Sequence, residues 1–155
     1  MRSCGTSSQQ EPFLVAPPKR GLVAILWRRT TSTVSLDGDI RAVCEAHGVE
    51  CRVWLSGRIT IDSSPSLRAL LLQRLESPDC QSLTVDFREV PYVDTSGLAV
   101  LVEILKAART QGKPFQLSGL SERPRFLLEA TRLLHLFREV GEMPRMNHSP
   151  PENLQ

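Results

Sequence analysis

The sequence predicts an α/β fold: one mixed β-sheet of four to five strands, with an antiparallel hairpin on its N-terminal side and about three to four helices packed on it. Three observations lead there. Segments of period two alternate with segments whose apolar residues recur at helical spacing, in the order strand, strand, helix, strand, helix, strand, helix. Strand–helix–strand units demand parallel neighbours joined by right-handed crossovers, whereas the first two strands are joined by a turn that suits only an antiparallel pair. The chain has 155 residues, 41% of them hydrophobic. That is enough for one sizeable core and too little for two.

Residues 1–35 read as a poorly ordered leader rich in Ser, Thr, Gln, Pro and Arg, residues 36–140 as the domain, and residues 141–155 as a disordered tail. Ile40–Glu45 suits a strand, with a turn at Ala46-His47-Gly48. Val49–Leu55 then alternates, placing Val49, Cys51, Val53 and Leu55 on one face and Glu50, Arg52 and Trp54 on the other. Ser56-Gly57 closes that strand. Ser64-Pro65 reads as an N-cap followed by proline at the first helical position. The helix it opens carries Leu67, Leu70, Leu71 and Leu75 in one stripe, leaves Arg68, Gln73, Arg74 and Glu76 to solvent, and stops at Ser77-Pro78.

Leu83–Phe87 is the next strand. A helix over Leu98–Thr110 follows, with Leu98, Leu101, Val102, Leu105 and Ala108 facing inward and Glu103, Lys106 and Arg109 on a polar ridge. Val100, Ile104 and Ala107 flank that ridge, and the pattern fits either burial against a neighbour or contact with a partner. Gly112 ends the helix. Phe115–Ser118 is a short strand, Ser121 caps a last helix with Glu122 in its first turn, and Phe126, Leu127, Ala130 and Leu134 form that helix's buried stripe.

Composition excludes several functions. A formal net charge of +2 without a clustered basic run implies no nucleic-acid surface. The longest apolar run near the N-terminus, Leu22–Trp27, is far short of a membrane span, so no direct membrane insertion is expected and a cytoplasmic protein is. Cys4, Cys44, Cys51 and Cys80 have no metal-ligand spacing and read as three buried or half-buried apolar thiols plus one in a tail, in a reducing compartment.

The stretch Val90–Leu98 joins the end of a strand to the start of an apolar helix, and Asp94, Thr95 and Ser96 are three consecutive helix-capping side chains. Catalytic readings of it fail on missing partners. Asp94-Thr95-Ser96-Gly97 has one residue more than the Asp-Thr-Gly of aspartic proteases, and Asp62 and Asp86 lie in no matching loop. Ser96 has no base: His47 reads as a loop residue, His135 as a packed or edge histidine and His148 as part of the tail. No phosphate cradle is present, so no cofactor is expected and the chain does not read as an enzyme. A phosphoryl group on Thr95 or Ser96 would sit at the positive end of a helix and leave the fold intact. Two readings stay open: a helix cap alone, or a switch.

The sequence resembles the STAS domain family of anti-sigma factor antagonists and sulfate-transporter cytoplasmic domains, over about Asp39 to Phe137. The resemblance rests on Val53-Trp54-Leu55-Ser56-Gly57-Arg58-Ile59, the helix after Ser64-Pro65, Leu83–Val90, Leu127–Thr131 with Leu136-Phe137, and above all Val93-Asp94-Thr95-Ser96-Gly97-Leu98. It implies a single STAS domain that binds an anti-sigma factor kinase and thereby frees a sigma factor, with a phosphatase as a further partner and ATP belonging to the kinase. By position the acceptor is Thr95, with Ser96 the alternative, and the partner-binding set is Asp94, Thr95, Ser96, Gly97, Leu98, Val100 and Ile104. The family's acceptor is usually serine, and its glycine after the last helix's threonine is here Arg132. The alternative within the family is a subunit of a phospholipid-transport ABC complex that docks on its ATPase. The oligomeric state is unreadable.

Overall fold

The computed structural model describes residues 29–141. Most of the expected leader, all but the first residue of the expected tail, and Cys4 and His148 lie outside the described residues.

The chain runs β1 (Arg29–Ser35), β2 (Ile40–His47), β3 (Glu50–Ile59), α1 (Ser64–Glu76), β4 (Ser82–Val93), α2 (Thr95–Thr110), β5 (Phe115–Ser118), α3 (Glu122–Ala130), a single 3-10 turn (Leu134–Leu136) and β6 (Arg138–Val140). The strands lie in sequence order in one sheet. β1, β2 and β3 pair antiparallel, and β3 through β6 pair parallel across the three helical crossovers. The mixed α/β sheet is the expected one, with six strands where four to five were read.

Both extra strands are edges. β1 falls inside the residues assigned to the leader, because its Thr- and Ser-rich sequence looks like loop. Threonine is nevertheless a good strand former, and edge strands are commonly polar. Its inward side is tied down: Val34 packs on the core, and Arg74 Nη2 donates to Ser32 Oγ at 2.9 Å. Arg74 is therefore half-buried and not solvent-facing. β6 is three residues long, below what a period can reveal.

The core is a single cluster between the sheet and its helices, built from Val53 and Leu55 of β3, Leu83, Val85 and Phe87 of β4, Leu117 of β5 and the predicted stripe Leu67, Leu70, Leu71 and Leu75 of α1. Burying each such leucine contributes roughly 1.5–3 kcal/mol. Phe137 closes the edge against Phe115, edge to face with centroids 6.1 Å apart. Arg68 of α1 donates to both carboxylate oxygens of Glu103 on α2 and holds that carboxyl below its usual range.

Several element ends differ from expectation. β2 and β3 are joined by Gly48-Val49 alone, so Val49 is an exposed turn residue and His47 ends a strand. β3 continues through Ser56-Gly57 by slipping register there. Gly57 has φ +109°, and a Cβ on it would lie 1.8 Å from Asp39 O, so only glycine fits. The cap of α1 is Ser63, one residue before Ser64.

β4 runs past Phe87 to Val93. Its pairing with β5 ends at Asp86–Ser118, which leaves that side free of a strand where Pro91, without an N–H, can sit. At that junction Asp86, 2% exposed, accepts from Arg88 N at 2.9 Å, Arg88 Nε at 3.0 Å and Ser118 Oγ at 2.9 Å.

α3 is turned relative to expectation. Pro124 and Leu128 are buried, Leu127 and Leu134 are half-buried, Ala130 is exposed and Phe126 is 69% exposed. The helix stops at Ala130, so Leu134 belongs to the separate 3-10 turn. The Ser121 hydroxyl makes no cap; it donates to Val90 O at 2.6 Å and fixes the start of α3 against β4.

Candidate functional site

The turn between β4 and α2 is built by local chemistry. Asp94 has extended backbone, and its Oδ1 accepts from Gly97 N–H at 3.0 Å, the N-cap expected of this residue type. Its own N–H donates to Ile59 O at 3.1 Å, which pins the turn to the end of β3. Gly97 lets the helix start press against the sheet: a Cβ there would lie 2.6 Å from Ile59 Cγ2 and 2.7 Å from Val93 Cγ1. The helix consequently begins at Thr95, three residues before the expected Leu98.

The seven expected contact residues are brought to one place but not to one surface. Thr95 is exposed, Asp94 and Ser96 are half-buried, and Gly97 and Leu98 are buried. Val100 is 5% exposed and Ile104 is 0% exposed. These last two are core residues, which corrects their reading as a contact flank. α2 packs on both the sheet and α1, so two of its sides are covered and the apolar flank faces α1 and the sheet, not solvent.

The accessible side of α2 is another one. Thr95, Leu98, Ala99, Val102, Glu103 and Lys106 line an open groove of about 550 Å³ with Leu133. Thr95, Ala99, Val102 and Lys106 follow at intervals of four, three and four, one face of a helix counted from the hydroxyl. That count was available in the sequence, but assigning Val102 to the core hid it. On the other side of the hydroxyl, a groove of about 590 Å³ is lined by Tyr92, Val93, Asp94, Thr95, Arg123, Phe126 and Leu127. Placing Phe126 in the core concealed this wall, which depends on how α3 is turned. Arg58 covers the Tyr92 ring, with its guanidinium carbon 4.6 Å from the centroid.

Thr95 therefore stands between two grooves, exposed and capped by no side chain. Among the described residues no group of three or more His, Cys, Asp or Glu side chains is placed to hold a metal, and no helix is long and apolar enough to cross a membrane. His47 is half-buried and His135 exposed; neither lies in the grooves beside Ser96. Among the described residues Cys44, Cys51 and Cys80 are buried free thiols, as expected of three of the four cysteines. Burial pushes the Cys44 thiol up, and the hydrogen bond between Cys51 and Cys80 pushes the Cys51 thiol up as well.

Residues 42–139 match the family model described as "Mlab, STAS domain". The chain is 33% identical over 84 residues to an anti-sigma-B factor antagonist of Bacillus subtilis (strain 168), covering 54% of this chain and 75% of that protein. Among solved structures, it resembles an anti-sigma factor antagonist from Mycobacterium paratuberculosis with a TM-score of 0.57 at 22% identity, over 64% of this chain and 84% of that one. It also resembles the anti-sigma factor antagonist SpoIIAA in its unphosphorylated form, with a TM-score of 0.50 at 9% identity, over 76% of this chain and 90% of that one. At those identities the two structures establish the fold and nothing finer.

Proposed function

The chain belongs to the STAS domain family, and from that premise we propose that it is an anti-sigma factor antagonist switched by phosphorylation of Thr95. Unmodified, it binds an anti-sigma factor that is also its kinase, and a sigma factor is released. The observation that carries this reading is the position of the Thr95 hydroxyl, exposed on the first residue of α2 between two apolar grooves. The name of the Bacillus subtilis relative supports the antagonist assignment. The greater exposure of Thr95 over Ser96 supports Thr95 as acceptor.

In this reading Thr95 Oγ1 attacks the γ-phosphorus of the kinase's ATP, the bond to ADP breaks, and the hydroxyl proton passes to the kinase. The product adds a charge of roughly −1.5 to −2 beside Asp94. A partner packed on Ala99, Val102 and Phe126 would have to desolvate that charge, and a penalty of about 3 kcal/mol lowers affinity about a hundredfold. Binding through this face, and not turnover, is the activity proposed. A phosphatase would restore it.

Threonine where the family's acceptor is usually serine favours a second reading, a subunit docking by the same face on the ATPase of a phospholipid-transport complex. The purified protein incubated with native lysate and radiolabelled ATP should take up one phosphate, mapped to Thr95 by mass spectrometry and lost in Thr95→Ala but kept in Ser96→Ala. Labelling undiminished in Thr95→Ala overturns the acceptor assignment. Capture of a transport ATPase by both wild type and Thr95→Asp would select the second reading.

A further inference from the structure

We propose that Arg123 is the cation that receives a phosphoryl group carried by Thr95, so that α3 responds to the modification of α2; this rests on the switch reading above. Arg123 and Thr95 face one groove, whose floor is Val93 and Leu127 and whose rim holds Phe126. Among the described residues Arg123 makes no ion pair or hydrogen bond, whereas Arg125, two positions on, is tied to Glu139 and Arg88 to Asp86. An exposed arginine left without a carboxylate and sharing a groove with a hydroxyl is suited to take two of the three oxygens of a phosphoryl group through its planar fork.

The other charged groups around Thr95 are committed or out of reach. Asp94 accepts from Gly97 N–H. Arg58 lies over Tyr92, and Glu103 is held by Arg68. Lys106 shares a groove with Thr95 but sits eleven residues along the same helix, about 16 Å at 1.5 Å per residue. Glu122, beside Arg123, is exposed and of the wrong sign. Arg123 is the remaining cation. Binding the phosphoryl group would draw its guanidinium across the groove, covering Leu127 and removing a positive charge from the face that a partner meets. The switch would then alter both walls of the site and not only the hydroxyl.

The test uses protein with phosphothreonine placed at position 95 by genetic encoding, so that no kinase is involved. Phosphorus NMR titration should give a second phosphate pKa about half a unit lower in wild type than in Arg123→Gln at low salt, roughly a threefold difference in proton affinity. The gap should narrow in 1 M salt, where the Debye length is about 3 Å. The exposed control Arg138→Gln should leave the wild-type titration unchanged. Equal titrations in wild type and Arg123→Gln overturn the proposal, as does an equal shift in Arg138→Gln. Because phosphothreonine is installed directly, a lysate that fails to label Thr95 counts against the switch reading and leaves the NMR result standing.

Discussion

At the scale of single residues, two helix ends of the same design differ in one choice of amino acid. α2 closes with Gly112 N–H on Arg109 O and Lys113 N–H on Ala108 O. α3 closes identically, with Arg132 N–H on Glu129 O and Leu133 N–H on Leu128 O. Both motifs require a left-handed residue. Gly112 supplies it at φ +68°, while Arg132 is forced to φ +59°. The departure from glycine noticed in the sequence thus changes the strain at the helix end, not the way it ends. A side chain there costs about 1–2 kcal/mol, part of which glycine's freer unfolded chain offsets. Arg132→Gly should stabilise the domain by roughly 0.5–1 kcal/mol, read as a higher urea midpoint at unchanged slope. Gly97→Ala should do the reverse. Ile59 and Val93 are themselves packed and cannot make room, so a loss of about 2 kcal/mol is expected despite alanine's better helix propensity.

At the scale of elements, the capping of α2 was legible because Asp94 bonds three residues ahead, within the reach of local reasoning. The side of α2 left open was not, because two flanks of one helix look alike until neighbours are placed against them. The distinction has a measurable consequence. Ile104→Ala should cost about 3 kcal/mol in unfolding free energy, as a core truncation does. Val102→Ala should cost under about 1 kcal/mol, since its side chain is half-exposed. If Val102 proved the costlier of the two, the assignment of faces would be reversed. The junction of β4 and β5 carries a second dependence of this kind. Removing the carboxylate in Asp86→Ala would strand Arg88 and Ser118 at a buried site, and a loss of about 3 kcal/mol is expected by equilibrium unfolding.

For the whole molecule, the buried Cys44 thiol gives stability a pH dependence on the alkaline side. Burial raises Cys44 above its ordinary 9.0. Below pH 9 the thiol is neutral both folded and unfolded, so it has no effect there. Above that value the unfolded chain ionises while the folded one resists, and stability falls as pH rises. Thermal melts should be insensitive to Cys44→Val at pH 7, and the alkaline decline should be shallower in that variant above about pH 9. Sequence alone settled the order of strands and helices from β2 to α3 and the inward stripe of α1, and it narrowed the cap of α2 to Asp94, Thr95 and Ser96. Each of these is written in spacings of a few residues, the range over which strand and helix periods operate. Only the tertiary structure decided that Arg29–Ser35 is a strand, that Val100 and Ile104 are core, and that Phe126 and Arg123 stand beside Thr95. Those outcomes depend on which surfaces meet across the sheet, and a one-dimensional pattern names the faces of an element without saying which of them another element will cover.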